Sequence, residues 1–365
     1  MTSGIRCMIL RGGTSKGAYF LADDLPIDEA QRDELLLRIM GTPDSRQIDG
    51  IGGANPLTSK VAVVSAADEG SGADVDYLFL QVGVDEPMVT DRQNCGNLLA
   101  GVGPFAVERG LFSVDQSATE ALIRIRMINT DSIATASFPV AGGQPVYAGD
   151  TAISGVPGTA ATIRLDFEDI AGGSCGALLP TGNPVDEIDG VECTLIDNGM
   201  PVVVMAASAL GIDGHENCAD LEANDELRRR LESIRLKAGP LMNLGDVSDT
   251  SVPKLTMVSE PRSGGHLNTR TFIPHRCHDA IGVLGAVSVA TAAMLPGSPA
   301  AGLLTSKATG PPAGGVVTVE HPTGVFDAAI EVDIGDDGHP EVRRAGIIRT
   351  ARKLMDGVVF PREYP

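Results

Sequence analysis

Gln93-Asn94-Cys95-Gly96-Asn97 runs without a break into the apolar stretch Leu98-Leu99-Ala100-Gly101-Val102-Gly103-Pro104-Phe105-Ala106-Val107. Read as a buried helix, the apolar stretch puts Cys95 at its mouth. There the free backbone N–H groups and the positive end of the helix dipole stabilise a thiolate. Cys95 is therefore a candidate for chemistry.

The arrangement recurs once. Arg276-Cys277-His278-Asp279 enters Ala280-Ile281-Gly282-Val283-Leu284-Gly285-Ala286-Val287-Ser288-Val289, and laying Cys277 on Cys95 pairs Asp279 with Asn97, Ile281 with Leu99, Gly285 with Gly103 and Val289 with Val107. The two cysteines lie 182 positions apart in a chain of 365. A long-period repeat with one cysteine-capped central helix per half is the expected architecture. Leu178-Leu179-Pro180-Thr181-Gly182 is its natural hinge. Residues 1–182 then carry Lys60 and Cys95, residues 183–365 carry Cys277, and the last strand is free to return to the first half.

Two domains also suit a chain this long, since one core rarely grows to such a size. Hydrophobic content of 43% excludes a largely disordered chain, while 44 Gly, 23 Pro and no Trp imply many turns and close packing of small residues. A formal charge of −20 argues against nucleic acid and against an anionic membrane as partners. It leaves room for a small anionic substrate gripped by a few local cations. The six cysteines, at 7, 95, 175, 193, 218 and 277, show no CxxC pair and no metal-ligand spacing. They read as reduced thiols of a cytoplasmic protein, and the start of the chain lacks the apolar core of a signal peptide. The uncharged stretch from Ala280 to Ser306 is broken by Pro296-Gly297-Ser298-Pro299, which makes it a core helix too short for a bilayer.

In chain order, Arg6 to Leu10 reads as a strand delivering the turn Arg11-Gly12-Gly13-Thr14-Ser15-Lys16-Gly17 to a second strand, Ala18 to Leu21. The turn lacks the order of a nucleotide phosphate loop, and it leads into a strand rather than a helix. A carboxylate-binding turn offering N–H groups, Ser15 and a cation fits better, with a merely tight hairpin as the competing reading. Asp28 to Met40 has amphipathic helical spacing and stops at Gly41. After the glycine-rich loop Gln47 to Ala54, Leu57-Thr58-Ser59-Lys60 opens an apolar strand. Lys60 either snorkels from the strand end or, buried, acts as a base of lowered pKa. Val75 to Val82 is the next strand, and the cysteine helix and further strands come after it. The second half repeats the pattern, with the turn Asp197-Asn198-Gly199, a charged helix from Asp225 to Ala238, Lys254 in the place of Lys60, and the polar cluster Asn268 to His278.

Six motifs in this order, Arg11 to Gly17, Ile48 to Gly53, Leu57 to Lys60, Gln93 to Asn97, Asp197 to Pro201 and Pro274 to His278, resemble those of the PrpF-type isomerases. The resemblance covers essentially the whole chain. It implies a mixed α/β diaminopimelate-epimerase-like fold: two pseudo-symmetric halves, each a curved, barrel-like sheet around a central helix, with the active site in the cleft between them. It also implies catalysis without metal, pyridoxal phosphate or any other cofactor, on a small di- or tricarboxylate substrate, with a homodimer as one assembly open to it. The members it resembles most shift a proton in the oxo-tricarboxylate 4-oxalomesaconate, in the breakdown of aromatic acids such as gallate. Cis–trans isomerisation of 2-methylaconitate is the alternative, with a cysteine hydrolase or a binding protein without turnover as more remote classes.

The family's proton-transfer pair maps onto Lys60 and Cys95. Epimerases of the same fold use one thiol from each half, which would map onto Cys95 and Cys277. Such a shift needs a base, an acid, and donors for carboxylates and an enolate oxygen. Thr14, Ser15, Asn94, Gly96, Asn97, Arg270, Cys277 and His278 are the candidates for holding substrate. The competing readings are a surface ion pair for Arg270, helix capping for His275 and His278, and inert packing for Cys7, Cys175, Cys193 and Cys218.

Overall fold

The computed structural model describes residues 4–92, 94–305, 315–335 and 338–363. Gln93, the first residue of the Cys95 motif, and Ser306, the last of the uncharged stretch, lie outside the described residues. In chain order come β1 (Ile5–Gly12), β2 (Ser15–Leu21), α1 (Glu29–Met40), β3 (Lys60–Ala66), β4 (Val75–Val82), β5 (Val89–Thr90), α2 (Gly96–Glu108), β6 (Glu120–Met127), β7 (Ser132–Ala141), β8 (Gln144–Pro145) and β9 (Thr162–Phe167). After them come β10 (Asp186–Ile188), β11 (Val191–Asp197), β12 (Pro201–Ala206), α3 (Cys218–Ala223), α4 (Asp225–Leu241), β13 (Lys254–Ser259), β14 (Leu267–Phe272), α5 (Val283–Met294), α6 (Ala301–Thr305), β15 (Val316–His321), β16 (Gly324–Ile334) and β17 (Pro340–Val359).

The chain divides into two compact units, Met1–Glu168 with Ile348–Pro365, and Asp169–Ile347. In the first, β1, β2, β3, β4, β6, β7, β9 and the end of β17 pair in that order and close back on β1, a barrel with no free edge. Helix α2 fills it, with every residue from Leu98 to Val107 buried. Glycine inside a helix usually costs stability. Here Gly101 and Gly103 make room for aromatic rings: a methyl on Gly101 would overlap the Tyr19 hydroxyl, and one on Gly103 would stand 2.6 Å from Phe138 Cε1. Outside the barrel lies α1, capped by Asp28 Oδ1, which accepts from the Gln31 N–H at 2.9 Å, and ended by Gly41 at φ +81°. Its Leu36, Ile39 and Met40 pack on Phe20, Val61, Val63, Leu80 and Val82.

The second unit repeats this order of pairings. The hairpin β1–β2, parallel β2–β3, antiparallel β3–β4, parallel β4–β6 and antiparallel β6–β7 have their counterparts in β11–β12, β12–β13, β13–β14, β14–β15 and β15–β16. Helices α4 and α5 fall at the same points of that order as α1 and α2. This is the two-halved, pseudo-symmetric α/β fold expected from the repeat.

Two expectations need correcting. The division falls at 168/169 rather than 182/183, because residues 172–178 are bonded into the second unit. Gly172 N–H donates to the Asp197 carbonyl at 2.7 Å, the Ser174 and Cys175 N–H groups donate to Asp197 Oδ2 at 2.7 and 2.9 Å, and Asp197 N–H donates to the Leu178 carbonyl at 2.9 Å. The second cysteine does not cap its helix. Gly282 is the N-cap of α5, whereas Cys277 lies in a bridge opposite Phe272, in a segment that folds back on β14 through the His278 N–H to the Thr271 carbonyl at 2.8 Å. That return uses up residues that α2 spends as its first turn. No helix among the described residues is long and apolar enough to cross a membrane.

Candidate active site

Lys60 opens β3, paired with Gly17 on the parallel neighbour and with Gln81 on the antiparallel one. It is only 7% exposed, so it does not snorkel to solvent. Its Nζ donates to Gln81 Oε1 at 2.7 Å and sits 5.0 Å from the centroid of the Phe79 ring. Strand alternation puts Tyr77, Phe79 and Gln81 on one face of β4, while Leu80 and Val82 pack toward α1 on the other. Two positions along that face from Phe79, the Tyr77 hydroxyl donates to the carbonyl of Cys95 at 3.4 Å. One strand face thus touches both members of the Lys60–Cys95 pair.

Cys95 is the N-cap of α2, extended at φ −131° and ψ 96°, and its carbonyl accepts the Leu99 N–H at 3.0 Å. The N–H groups of the first turn have no acceptor within the helix. Cys95 is half-buried, whereas Cys7, Cys175 and Cys193 are buried, and burial pushes each of those thiols up to about 12. These three keep their protons at neutral pH, whereas Cys218, read alongside them from the sequence, is half-buried. Burial also holds the hydroxyls of Tyr19 and Tyr77 well above their ordinary range, with the nearby Cys95 adding to the effect.

The glycine turn lies against the start of the same helix. Gly12 and Ser15 form the last pair of the β1–β2 hairpin, leaving Gly13 and Thr14 at its tip, with Gly13 at φ +51°. A methyl on Gly13 would stand 2.8 Å from Asn97 Cγ, and one on Gly12 would overlap the Asn97 carbonyl oxygen. Only glycine allows this approach. Across it, Asn97 Nδ2 donates to Thr14 Oγ1 at 3.0 Å and to Ser15 Oγ at 3.4 Å. Arg11 is spent on the scaffold, its Nη1 donating to the Gly13 carbonyl at 2.8 Å and to Thr350 Oγ1 at 3.0 Å. Asn94 is anchored to Thr130 Oγ1 at 2.6 Å. The structure thus brings Thr14 and Ser15 against Asn97, and Lys60, Asn94, Cys95 and Gly96 belong to the same unit.

Arg270, Cys277 and His278 belong to the second unit. Arg270 is buried rather than in a surface ion pair, with Nε donating to the Glu216 carbonyl at 2.7 Å and Nη1 to the Thr269 carbonyl at 2.8 Å. Burial, reinforced by Cys218, raises the Cys277 thiol against an opposing pull from Arg270. Its N–H donates to Glu222 Oε1 at 3.0 Å. His278 Nδ1 accepts the Ala280 N–H at 2.9 Å, a turn-capping role. Lys254, the counterpart of Lys60, donates to the Ser251 carbonyl at 2.7 Å. Among the described residues no group of three or more His, Cys, Asp or Glu is placed to hold a metal ion.

Sequence reasoning missed Gln81, Tyr77 and Arg349. Arg349 is buried, and its Cδ lies 3.2 Å from where a Gly13 methyl would stand. Gln81 carried one usable signal, its place directly across from Lys60 once the two strands are set antiparallel.

The family model described as PrpF protein matches residues 2–362. The chain belongs to the PrpF family. Within the PrpF family it is 59% identical to a Novosphingobium sp. (strain KA1) protein named (4E)-oxalomesaconate Delta-isomerase, over 97% of this chain and 96% of that protein. It is 56% identical to the 4-oxalomesaconate tautomerase of Pseudomonas putida, over 97% of this chain and 95% of that one. The crystal structure of a methylitaconate-delta-isomerase matches with a TM-score of 0.85 at 32% identity, covering 98% of this chain and 95% of the other. The diaminopimelate-epimerase-like fold implied by the motifs is thus the fold of this PrpF family member.

Proposed function

We propose that the chain is a cofactor-independent isomerase that shifts a proton within 4-oxalomesaconate, with Lys60 and Cys95 as the proton-transfer pair. The observation that carries this reading is identity of 59% and 56%, over nearly the whole chain, to two proteins named for that compound. The six cysteines, all free, suit a reducing compartment such as the cytoplasm. Aromatic-acid breakdown is the corresponding metabolic setting.

The chemistry is set by what such a shift requires. A C–H bond beside a carbonyl gives up its proton because the electron pair left behind delocalises onto oxygen. Where a C=C bond adjoins, the product forms when a proton returns at the far end of the dienolate. Lys60, as the amine, takes the first proton at Nζ. Cys95 delivers the other from Sγ and is left as a thiolate at the helix N-terminus, where the dipole and free N–H groups stabilise it. Solvent returns the proton from Nζ to Sγ between turnovers. The hydroxyls of Thr14 and Ser15, the Asn97 amide and the N–H groups of Gly96 and Asn97 receive a substrate carboxylate, as helix N-termini do for anions generally.

Purified protein given 4-oxalomesaconate should change its ultraviolet absorbance catalytically, and proton NMR in D2O should identify which carbon atom gains deuterium. 2-Methylaconitate serves as the comparison substrate. Turnover of 2-methylaconitate alone would overturn the substrate assignment.

A further inference from the structure

We infer that Gln81 is a positioning residue for Lys60, holding its amine in reach of the substrate through a side-chain amide whose two ends do different work. The inference rests on the reading that Lys60 moves the proton. Nζ ends a four-carbon stem that carries considerable rotamer freedom, and proton transfer at carbon tolerates little misplacement. Something must fix the head group.

The geometry of Gln81 supplies that. Its Nε2 lies 3.0 Å from the Ser59 carbonyl, 3.1 Å from that of Pro56 and 3.2 Å from that of Val82. All three are acceptors, so the amide has only one sensible orientation. Nε2 donates to the backbone, and Oε1 is left facing Lys60, whose Nζ donates to it at 2.7 Å. Two of those three carbonyls belong to the segment that leads directly into Lys60. That segment is held from its other side as well. Ser59 Oγ donates to Gln47 Oε1 at 2.6 Å, Gln47 Nε2 donates to Thr42 Oγ1 at 3.0 Å, and Gln47 Oε1 also accepts the Ala54 N–H at 2.9 Å. Gln81 therefore ties the tip of the lysine to the backbone at its base, and the Phe79 ring bounds Nζ on a further side.

The test compares wild type, Gln81→Met, Lys60→Ala and the double variant for kcat, KM and Tm on 4-oxalomesaconate. Gln81→Asn, which keeps the amide but withdraws it by about 1.5 Å, is a second probe. The expected result for Gln81→Met is a fall in kcat on the order of 100-fold with KM nearly unchanged. Gln81→Asn should lose kcat in the same way, and the double variant should retain the residual rate of Lys60→Ala. Wild-type kcat in both Gln81 variants would overturn the inference. So would a double variant that loses the product of the two single effects, since Gln81 would then act independently of Lys60. Wild-type kcat in Lys60→Ala would instead refute the role of Lys60 itself, a distinct outcome.

Discussion

Replacing Gly101 with alanine tests the packing of the first unit, because the structure reverses the usual sign of that change. In an open helix interior, glycine to alanine gains about 1 kcal/mol. At Gly101 the new methyl would overlap the Tyr19 hydroxyl and stand 2.8 Å from Tyr19 Cζ and 3.0 Å from Cε1. Tyr19 has nowhere to go: it is fully buried, its ring lies 5.7 Å from that of Phe105, and its hydroxyl donates to the Leu98 carbonyl at 2.6 Å. Forcing a methyl into a packed core costs about 1–3 kcal/mol. Displacing the hydroxyl from its buried acceptor costs about 1–3 kcal/mol more. After the gain in propensity, the net loss is about 1–5 kcal/mol. Urea unfolding followed by circular dichroism reads it as a lowered midpoint, the appropriate quantity for a chain of two units. Tyr19→Phe combined with Gly101→Ala removes the overlapping oxygen, so the pair should be less destabilising than the sum of the singles. A midpoint for Gly101→Ala at or above that of wild type would refute the helix-in-barrel packing.

Burial has two other measurable outcomes. Limited alkylation with iodoacetamide at pH 8, mapped by mass spectrometry, should label half-buried Cys95 well before Cys7, Cys175 or Cys193, each held up to about 12. Equal labelling of Cys95 and Cys193 would contradict the assignment. Stability should also fall in alkali. Tyr19, Tyr77 and the three buried thiols keep their protons in the folded chain above the pH at which the unfolded chain releases them, so the folded form binds more protons there. Their contribution is fully present below about pH 8.5 and declines as pH rises through the alkaline range. The urea midpoint should be lower at pH 10.5 than at pH 7.5, and an unchanged midpoint would count against it.

What was legible in the sequence was whatever local physics sets. The Asp28 cap and Gly41 stop bound α1, the unbroken apolar run gave α2 with Cys95 at its mouth, and the recurrence of strand, turn and strand announced the second unit. What escaped depends on pairings between distant residues. The Cys277 stretch copies the Cys95 stretch in composition, yet the His278 N–H bond to Thr271 turns it back on β14 and delays the helix to Val283. Asp197 draws residues 172–178 into the second unit through its carboxylate and backbone, which no hydropathy pattern records. Gln81 has no motif of its own and acquires a role only when strand register sets it opposite Lys60. Arg349 reaches the glycine turn from the far end of the chain, on a strand that closes the barrel.

The central claim is that one amine and one thiol of the first unit move the proton. Its most direct test is the rate of 4-oxalomesaconate conversion by Lys60→Ala and Cys95→Ser proteins whose circular dichroism and Tm match wild type. Each should lose at least about 100-fold in kcat, the ordinary contribution of a positioned acid or base, while Cys277→Ser stays far more active. Near-wild-type rates in Lys60→Ala or Cys95→Ser, or a Cys277→Ser protein as impaired as Cys95→Ser, would contradict it.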